Sequence, residues 1–342
     1  MKKHSTRLSF GTDADGNRIR KYFYYDTKAE LNRQVEEFKK KIKISEGGLN
    51  FKDYAERWLN TYKSNRQPST YNMYRHYIDM VEGIHDSPLY AISTTDIQEI
   101  VNSHKENPRT CSLISLTLKA VFRKALDEGK IERNPVNGIE LPKYRASEKR
   151  ILSESEKKAI EKADFTLKER LFVQFLQTYG LRPSEVLALD CANITKDFVQ
   201  VAQSLGYDKH MSYLKETKTG VARKLPMTDT VYASYIAHCE AEHITDGLVF
   251  RDSNGNMMSK TASEKFKKKV MGKIMTAQGY DSHLTAYVFR HNKITELIYD
   301  GVMTGKISVK KVAQLMGNSE KMVMDVYSHI KEDREDVSDL FR

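Results

Sequence analysis

The sequence predicts a multidomain protein that is mainly α-helical and has small β elements. Its 342 residues, 39% of them hydrophobic, exceed what one ordinary core accommodates, so two or three domains are expected. Apolar residues recur at helical spacing through most of the chain. Residues near the N-terminus instead follow the period of strands, and so do three stretches between 197 and 228, the last two joined by a tight turn. We therefore expect helical domains with small sheets at these two places.

The composition favours a polyanionic partner in a reducing compartment. The formal net charge is +10, which favours nucleic acid ahead of an anionic membrane surface. No apolar run approaches the roughly 20 residues of a membrane-spanning helix, and "MKKHSTRLSF" lacks the apolar stretch of a signal peptide. Three widely spaced cysteines without a Cys-x-x-Cys pattern disfavour zinc or a disulfide framework. We expect them to be small buried hydrophobes: Cys111, Cys191 and Cys239.

Residues 1–48 hold half of the net charge, with twelve lysines and arginines against seven aspartates and glutamates. "RLSFGTDADGNRIRKYFYYDT" predicts two strands joined at "DADGN". "TKAE" and an apolar stripe from Leu31 to Ile42 then predict a capped helix. One face of the second strand would meet DNA, because a β-ribbon fits the major groove; the alternative is a merely solvated basic strand. The residues of this face are Arg18, Arg20, Tyr22 and Tyr24.

Residues 49–145 predict a bundle of about four helices without a catalytic-looking cluster. The first helix has an apolar stripe at helical spacing, formed by Tyr54, Trp58, Leu59 and Tyr62. "RNPVNGIELP" ends the last helix with two prolines. "PKYRASEKR" at 142–150 has no apolar run and predicts an interdomain linker, after which Ser153 and Glu156 in "LSESEKKAI" predict a capping box that opens the next helix.

Arg182 in "TYGLRPSEVLALD" lies between two apolar helical runs. A buried arginine stays charged and needs an anion, either Glu185 or a group that arrives from outside. Gly180 suits the end of the first helix and Pro183 the start of the next. Arg182 would then lie at a helix N-terminus, which also favours an anion.

Three further stretches carry conspicuous polar residues. Arg290 in "YVFRHN" lies early in an amphipathic helix, and Lys218 in "TKTGVARKLPM" lies in a tight turn between two predicted strands. Tyr327 in "VYSHI" follows an apolar stretch and precedes a polar tail. Alternatives for the lysine and the tyrosine are Lys215, Tyr280 and Tyr299.

In this order, the four stretches resemble the motifs of tyrosine recombinases of the phage integrase family. The branch that the chain resembles comprises conjugative-transposon and phage integrases with an N-terminal arm-binding domain. "FKDYAERWLNTY", "PSTYNMYRHYI" and "ALDEGKIERNPV" resemble their core-binding domain. The resemblance implies an arm-type DNA-binding domain of a small β-sheet plus a helix at 1–48. It also implies a helical, SAM-like core-binding domain at 49–145 and a mixed α/β catalytic domain with a C-terminal tail at 146–342.

The resemblance also assigns roles to the four residues. Tyr327 would attack a DNA phosphodiester and form a 3′-phosphotyrosyl bond. Arg182 and Arg290 would clamp the non-bridging oxygens, and Lys218 would protonate the 5′-oxygen leaving group. The arginines would take the electrostatic role of a metal ion, so no metal and no other cofactor is expected.

Two positions depart from the family pattern. Tyr287 replaces the histidine of His-x-x-Arg, and Asn318 replaces the histidine of Leu-Gly-His. Tyr287 can donate a hydrogen bond, but with a usual pKa of about 10 it is a poor base near neutral pH. Asn318 can donate but cannot shuttle a proton. We expect both to keep a positioning role and the activity to survive.

By resemblance, the partners are double-stranded DNA at core and arm sites and a homotetramer on that DNA, with recombination through a Holliday junction. An excisionase, a DNA-bending protein and a location at the bacterial nucleoid in the cytoplasm are implied in the same way. The apolar end of the polar tail should pack on a neighbouring subunit. Rival functions are a type IB topoisomerase, a catalytically silent DNA-binding protein and a metal-dependent transposase with a carboxylate triad.

Overall fold

A computed structural model describes residues 4–12, 18–46, 49–144, 150–208, 211–218 and 220–332. The chain divides into two compact units, Met1–Ala146 and Ser147–Arg342. The predicted architecture, mainly helical with small sheets, is confirmed. Among the described helices, none combines the length and the apolar character that crossing a bilayer requires.

A two-stranded sheet and a helix begin the first unit. Antiparallel strands β1 (His4–Thr12) and β2 (Arg18–Tyr25) form the sheet, and α1 (Lys28–Glu46) packs on one face of it. Phe23 is buried on this face, with its ring 5.1 Å from that of Phe38 in an edge-on contact. The predicted sheet and helix are therefore present, while the turn "DADGN" lies outside the described residues.

The opposite face of β2 is the predicted DNA-binding face. The side chains of Tyr22 and Tyr24 are each about half exposed there, as the alternation predicts. The backbone of Arg18 and Arg20 continues the strand, but their side chains lie outside the part of the chain that the structure describes.

The rest of the first unit is a helical bundle, as predicted. Its core contains the ring pair Phe51 and Phe122, with centroids 5.4 Å apart and planes tilted by 31°, and the buried Trp58. The predicted apolar stripe is wrong at Tyr62, which is 45% exposed and whose hydroxyl donates to Glu128 at 2.7 Å. The helices are α2 (Phe51–Tyr62), α3 (Pro68–Asp79), α4 (Thr94–Ser103) and α5 (Pro108–Asp127).

Eight α-helices make up most of the described part of the second unit. The first begins at a capping box that the sequence predicts: the amide of Glu156 donates to Ser153 Oγ at 3.2 Å, and that of Ser153 to Glu156 Oε2 at 2.9 Å. Two of the three cysteines are buried as expected, whereas Cys191 is partly exposed. The helices are α6 (Glu154–Lys162), α7 (Leu167–Tyr179), α8 (Pro183–Val186), α9 (Asp229–Ala241), α10 (Lys260–Gln278), α11 (Ala286–Leu297), α12 (Val309–Met316) and α13 (Glu320–Glu332).

The strands of the second unit differ from the prediction of three strands with the last two joined by a tight turn. There are four described strands, and β6 pairs with β3 while β4 pairs with β5. The register places Val199 opposite Leu225, and both are buried in the core. Burial of apolar residues explains this pairing, because every residue of β5 stays at least partly exposed. The strands are β3 (Phe198–Val201), β4 (Gln203–Asp208), β5 (Met211–Glu216) and β6 (Arg223–Pro226).

Candidate active site

Arg182 lies at the junction between α7 and α8. Gly180 ends α7 in the left-handed conformation with φ of 60°, and Pro183 begins α8, as the sequence predicts. Arg182 Nη1 donates to Glu185 Oε1 at 2.7 Å, and the amide of Arg182 donates to Oε2 at 3.0 Å. Of the two anions that the sequence left open, the structure therefore supplies Glu185.

Arg290 is the more deeply buried of the two predicted arginines, with 5% of its surface exposed. Its Nη1 donates to the carbonyl of Gly180 at 2.8 Å, and its Nη2 donates to the carbonyl of Met316. Burial, and after it the charge of the nearby Arg182 guanidinium, lower the pKa of Arg290 to about 9. Arg290 is still charged at neutral pH, because a pKa of about 9 lies about two units above pH 7.

Asn318 connects the two arginines. Its Oδ1 accepts hydrogen bonds from Arg182 Nη2 at 3.0 Å and from Arg290 Nη2 at 2.7 Å. The carbonyl of Gly317 accepts another from Arg182 Nη2 at 2.8 Å. Gly317 ends α12 with φ of 59°, and a Cβ there would lie 3.0 Å from Nη1 of Arg223. A glycine at this position thus lets the backbone reach the guanidinium groups.

Arg223 is a site residue that the sequence reasoning missed. Its Nη2 donates to Glu185 Oε2 at 2.6 Å and its Nη1 to Oε1 at 3.4 Å, so Glu185 lies between two arginines. The signal was the alternation along β6, in which Arg223 shares the buried face with Leu225 while Lys224 is exposed. We call the five residues that these contacts join the arginine cluster: Arg182, Glu185, Arg223, Arg290 and Asn318.

The arginine cluster carries an excess of positive charge. Burial alone would raise the pKa of Glu185, but the hydrogen bond and charge of Arg223 and those of Arg182 outweigh it, so the pKa lies below its usual value. Glu185 is therefore ionised. Its one negative charge faces three guanidinium groups, which leaves two positive charges without a carboxylate in the described contacts of the cluster. Buried cations in excess favour binding of an anion such as a phosphate.

Lys218 and Tyr287 lie outside the hydrogen bonds described for the arginine cluster. Lys218 is exposed in a turn that the amide of Gly220 closes by donating to the carbonyl of Thr217 at 2.9 Å. Tyr287 lies in the first turn of α11 with 55% of its surface exposed. Both side chains are exposed to solvent.

Tyr327 is partly buried on α13 and packs against a small apolar cluster. Met316 belongs to this cluster, and its carbonyl also accepts the hydrogen bond from Arg290. Asn318 lies two residues before α13 begins. The same turn between α12 and α13 therefore contributes to the arginine cluster and leads into the helix of Tyr327.

Two family models match the chain. The phage integrase family matches residues 146–334, and the N-terminal SAM-like domain of phage integrases matches residues 50–104. A tyrosine recombinase XerC-like protein of Caldanaerobacter subterraneus subsp. tengcongensis is 25% identical over 94% of this chain and 91% of its own length. The probable integrase of prophage ps2 in Lactococcus lactis subsp. lactis is 22% identical and covers 89% and 85%.

Solved structures share the fold. The Tn1549 transposon integrase in complex with a circular intermediate DNA has a TM-score of 0.67 and 19% identity, over 82% of this chain and 98% of the other. A lambda integrase tetramer bound to a Holliday junction has a TM-score of 0.63 and 17% identity, over 91% and 92%. Because the first family model spans more than half of the sequence, the chain belongs to the phage integrase family, as its four motifs predict.

Proposed function

We propose that this protein is a tyrosine recombinase that integrates and excises a mobile element by site-specific DNA recombination. The observation that carries the proposal is the convergence of Arg182 and Arg290 on one point, 3.0 and 2.7 Å from Asn318 Oδ1, in a cluster with excess positive charge. Two guanidinium groups that meet at one acceptor suit a phosphodiester, whose non-bridging oxygens carry the charge. The names of the relatives, tyrosine recombinase and integrase, support the same function.

The reaction follows from the chemistry of the side chains. The hydroxyl oxygen of Tyr327 attacks the phosphorus and loses its proton, so a 3′-phosphotyrosyl bond forms while the bond to the 5′-oxygen breaks. Lys218 gives a proton to that leaving oxygen. Arg182 and Arg290 stabilise the charge that builds up on the phosphate in the transition state, the task that a metal ion performs in other phosphoryl-transfer enzymes. The strand exchange that follows passes through a Holliday junction.

Tyr287 and Asn318 act as positioning residues in this proposal. Tyr287 is exposed on α11, three residues before Arg290, and its hydroxyl can donate to a phosphate oxygen. Asn318 holds the two guanidinium groups together.

The domain roles extend the proposal to DNA binding. We assign arm-site binding to residues 1–48, core-site binding to 49–145 and catalysis to 146–342. The half-exposed Tyr22 and Tyr24 support the first assignment, because aromatic and basic side chains on one strand face suit a groove of duplex DNA. Arg18 and Arg20 belong to the same proposed face.

Covalent trapping tests the proposed chemistry. The protein is incubated in EDTA with a nicked suicide duplex from the end of its own element, and the products are separated on a denaturing gel. We expect a protein–DNA adduct that is absent from Tyr327→Phe, because the phenol oxygen forms the ester.

Specific DNA binding without an adduct would instead favour a catalytically silent DNA-binding protein. Relaxation of supercoiled DNA without exchange between two duplexes would favour a type IB topoisomerase. Loss of activity in EDTA would favour a metal-dependent transposase.

We further propose a homotetramer on DNA, in which the C-terminal tail packs on a neighbouring subunit. The tail ends with the apolar residues Val337, Leu340 and Phe341 after a charged stretch, and lies outside the described residues. Deletion of residues 335–342 should leave the trapped adduct intact but abolish the synaptic complex in native gels, because the tail links subunits rather than forming the site. Unchanged synapsis would contradict this proposal. We also propose an excisionase and a DNA-bending protein as partners. We propose that the protein is located at the nucleoid in the cytoplasm.

A further inference from the structure

The side chain of Asn318 occupies the point where the two guanidinium groups of the arginine cluster meet. Its Oδ1 lies 3.0 Å from Arg182 Nη2 and 2.7 Å from Arg290 Nη2. Guanidinium groups only donate hydrogen bonds, so the amide must present its oxygen to them and direct its NH2 group away. One oxygen held between two arginines is the arrangement that a non-bridging phosphate oxygen would adopt in the same place.

The backbone around Asn318 fixes this placement. The amide of Asn318 donates to the carbonyl of Ala313 at 3.0 Å, at the end of α12. The carbonyls of Gly317 and Met316 accept from the same two Nη2 groups that contact Oδ1. With these carbonyls in place, the side-chain oxygen of Asn318 is the acceptor that can leave while the backbone stays.

The relative strength of the acceptors decides which one remains when DNA binds. The amide oxygen is neutral, whereas a phosphodiester oxygen carries negative charge, and hydrogen bonds to charged acceptors are about twice as strong as neutral ones. The cluster has two positive charges beyond the single carboxylate of Glu185, which adds to the preference for the anion.

We propose that Asn318 is an internal stand-in for the substrate phosphate. In the DNA-free protein, its amide oxygen keeps Arg182 and Arg290 aligned and their buried donors satisfied. The scissile phosphate then displaces that oxygen. This inference rests on the proposed function, because it takes a DNA phosphate as the ligand of the arginine cluster. The family histidine would have a different effect here, since its ring offers at most one acceptor nitrogen and none when protonated.

Titration of the DNA-free protein with inorganic phosphate by calorimetry tests the proposal. We expect Asn318→Ala to bind phosphate roughly tenfold more tightly than the wild type, because the competing acceptor is gone. Asn318→Asp should lose phosphate binding at the arginine cluster, because its carboxylate stays on both arginines. Asn254→Ala, an exposed asparagine in a turn of the same unit, should titrate like the wild type.

The double variant Arg182→Ala with Asn318→Ala locates the effect, since the tenfold gain should vanish when one of the two arginines is removed. A merely structural Asn318 predicts equal or weaker phosphate binding in Asn318→Ala, and that result would overturn the proposal. Persistence of the gain in the double variant would also overturn it. Should Asn318→Ala not fold, Asn318→Leu keeps the size of the side chain without an acceptor and should show the same gain, and unchanged phosphate affinity there would overturn the proposal.

Failure of this inference and failure of the proposed function are distinguishable. The phosphate titration needs neither DNA nor Tyr327, whereas the trapped adduct needs both. An adduct with unchanged phosphate affinity in Asn318→Ala would remove the stand-in role and leave the recombinase. The expected titration without any adduct would leave an anion site whose nucleophile is inactive.

Discussion

Of the three buried glutamates described in the second unit, Glu169 and Glu185 each lie between two basic side chains, but their settings differ. Glu185 has arginine partners that are themselves largely buried, Arg182 and Arg223. Glu169 has lysine partners, Lys269 at 3.0 Å and Lys273 at 2.5 Å, and the side chain of Lys269 is 62% exposed. Glu169 also accepts from the backbone amide of Thr166 at 2.9 Å and caps α7.

The difference separates a structural ion pair from a binding site. The lysines of Glu169 can turn into water if the carboxylate is lost, because each is a flexible chain with a compact charge. Arg182 and Arg223 are themselves largely buried, and a third buried arginine, Arg290, adjoins Arg182 without a carboxylate of its own. The excess positive charge of the first arrangement lies on lysines that reach water, whereas that of the second lies on largely buried guanidinium groups that can bind a ligand.

Removing the charge of Glu185 is the most direct test of the difference between the two glutamates. Glu185→Gln leaves three buried guanidinium groups without a carboxylate, and we expect the free energy of unfolding to fall by about 3–5 kcal/mol in denaturant titrations. The matched Glu169→Gln should lose about 1–3 kcal/mol, because its lysines regain water. Equal losses in the two variants would show that the settings do not differ in energy.

The pH dependence of unfolding tests the ion pairs of Glu169. Burial alone would raise the pKa of this carboxyl, but hydrogen bonds from Lys273, the backbone at Thr166 and Lys269 lower the pKa from 4.5 to about 2. The stabilisation is complete above the unfolded pKa and is lost as the pH falls from about 4.5 towards 2, on the order of 2–3 kcal/mol. Unfolding titrations between pH 6 and 3 should therefore show a shallower loss in Glu169→Gln than in the wild type. Parallel curves would contradict the lowered pKa.

Exchange of arginine and lysine tests whether the paired donors of the guanidinium group contribute to stability. Arg223→Lys should cost about 1–2 kcal/mol of unfolding free energy, because a lysine cannot donate to both oxygens of Glu185 in the same plane. The reciprocal Lys273→Arg should change the unfolding free energy by less than about 0.5 kcal/mol, since that site already tolerates point charges near the surface. Circular dichroism melting curves measure both changes. An Arg223→Lys variant with an unchanged unfolding free energy would show that the paired donors of Arg223 do not contribute to stability.

The predictions from sequence succeed where the controlling contacts are local. The capping box of Ser153 and Glu156, the end of α7 at Gly180 and the start of α8 at Pro183 each depend on residues within four positions of one another. Helix periodicity likewise predicts the buried Trp58. It fails at Tyr62, because the hydroxyl of that residue donates to Glu128, 66 residues away in the sequence, and the ring stays at the surface.

The pairing of the strands could not be predicted in this way. A tight turn after Lys218 predicts that its two flanking strands pair, yet β6 pairs with β3, more than twenty residues earlier. Burial of Val199 against Leu225 decides that register, and burial is a property of the whole core.

By itself, the sequence determined the mainly helical fold, the family and the four motifs with Arg182, Lys218, Arg290 and Tyr327, because residue type and short spacing carry that information. The tertiary structure alone decided that Arg223 joins Glu185 and that the oxygen of Asn318 lies between two arginines. These contacts join residues 28 to 136 positions apart, and no local pattern encodes them. They form because a buried guanidinium must find acceptors wherever the packed chain brings them.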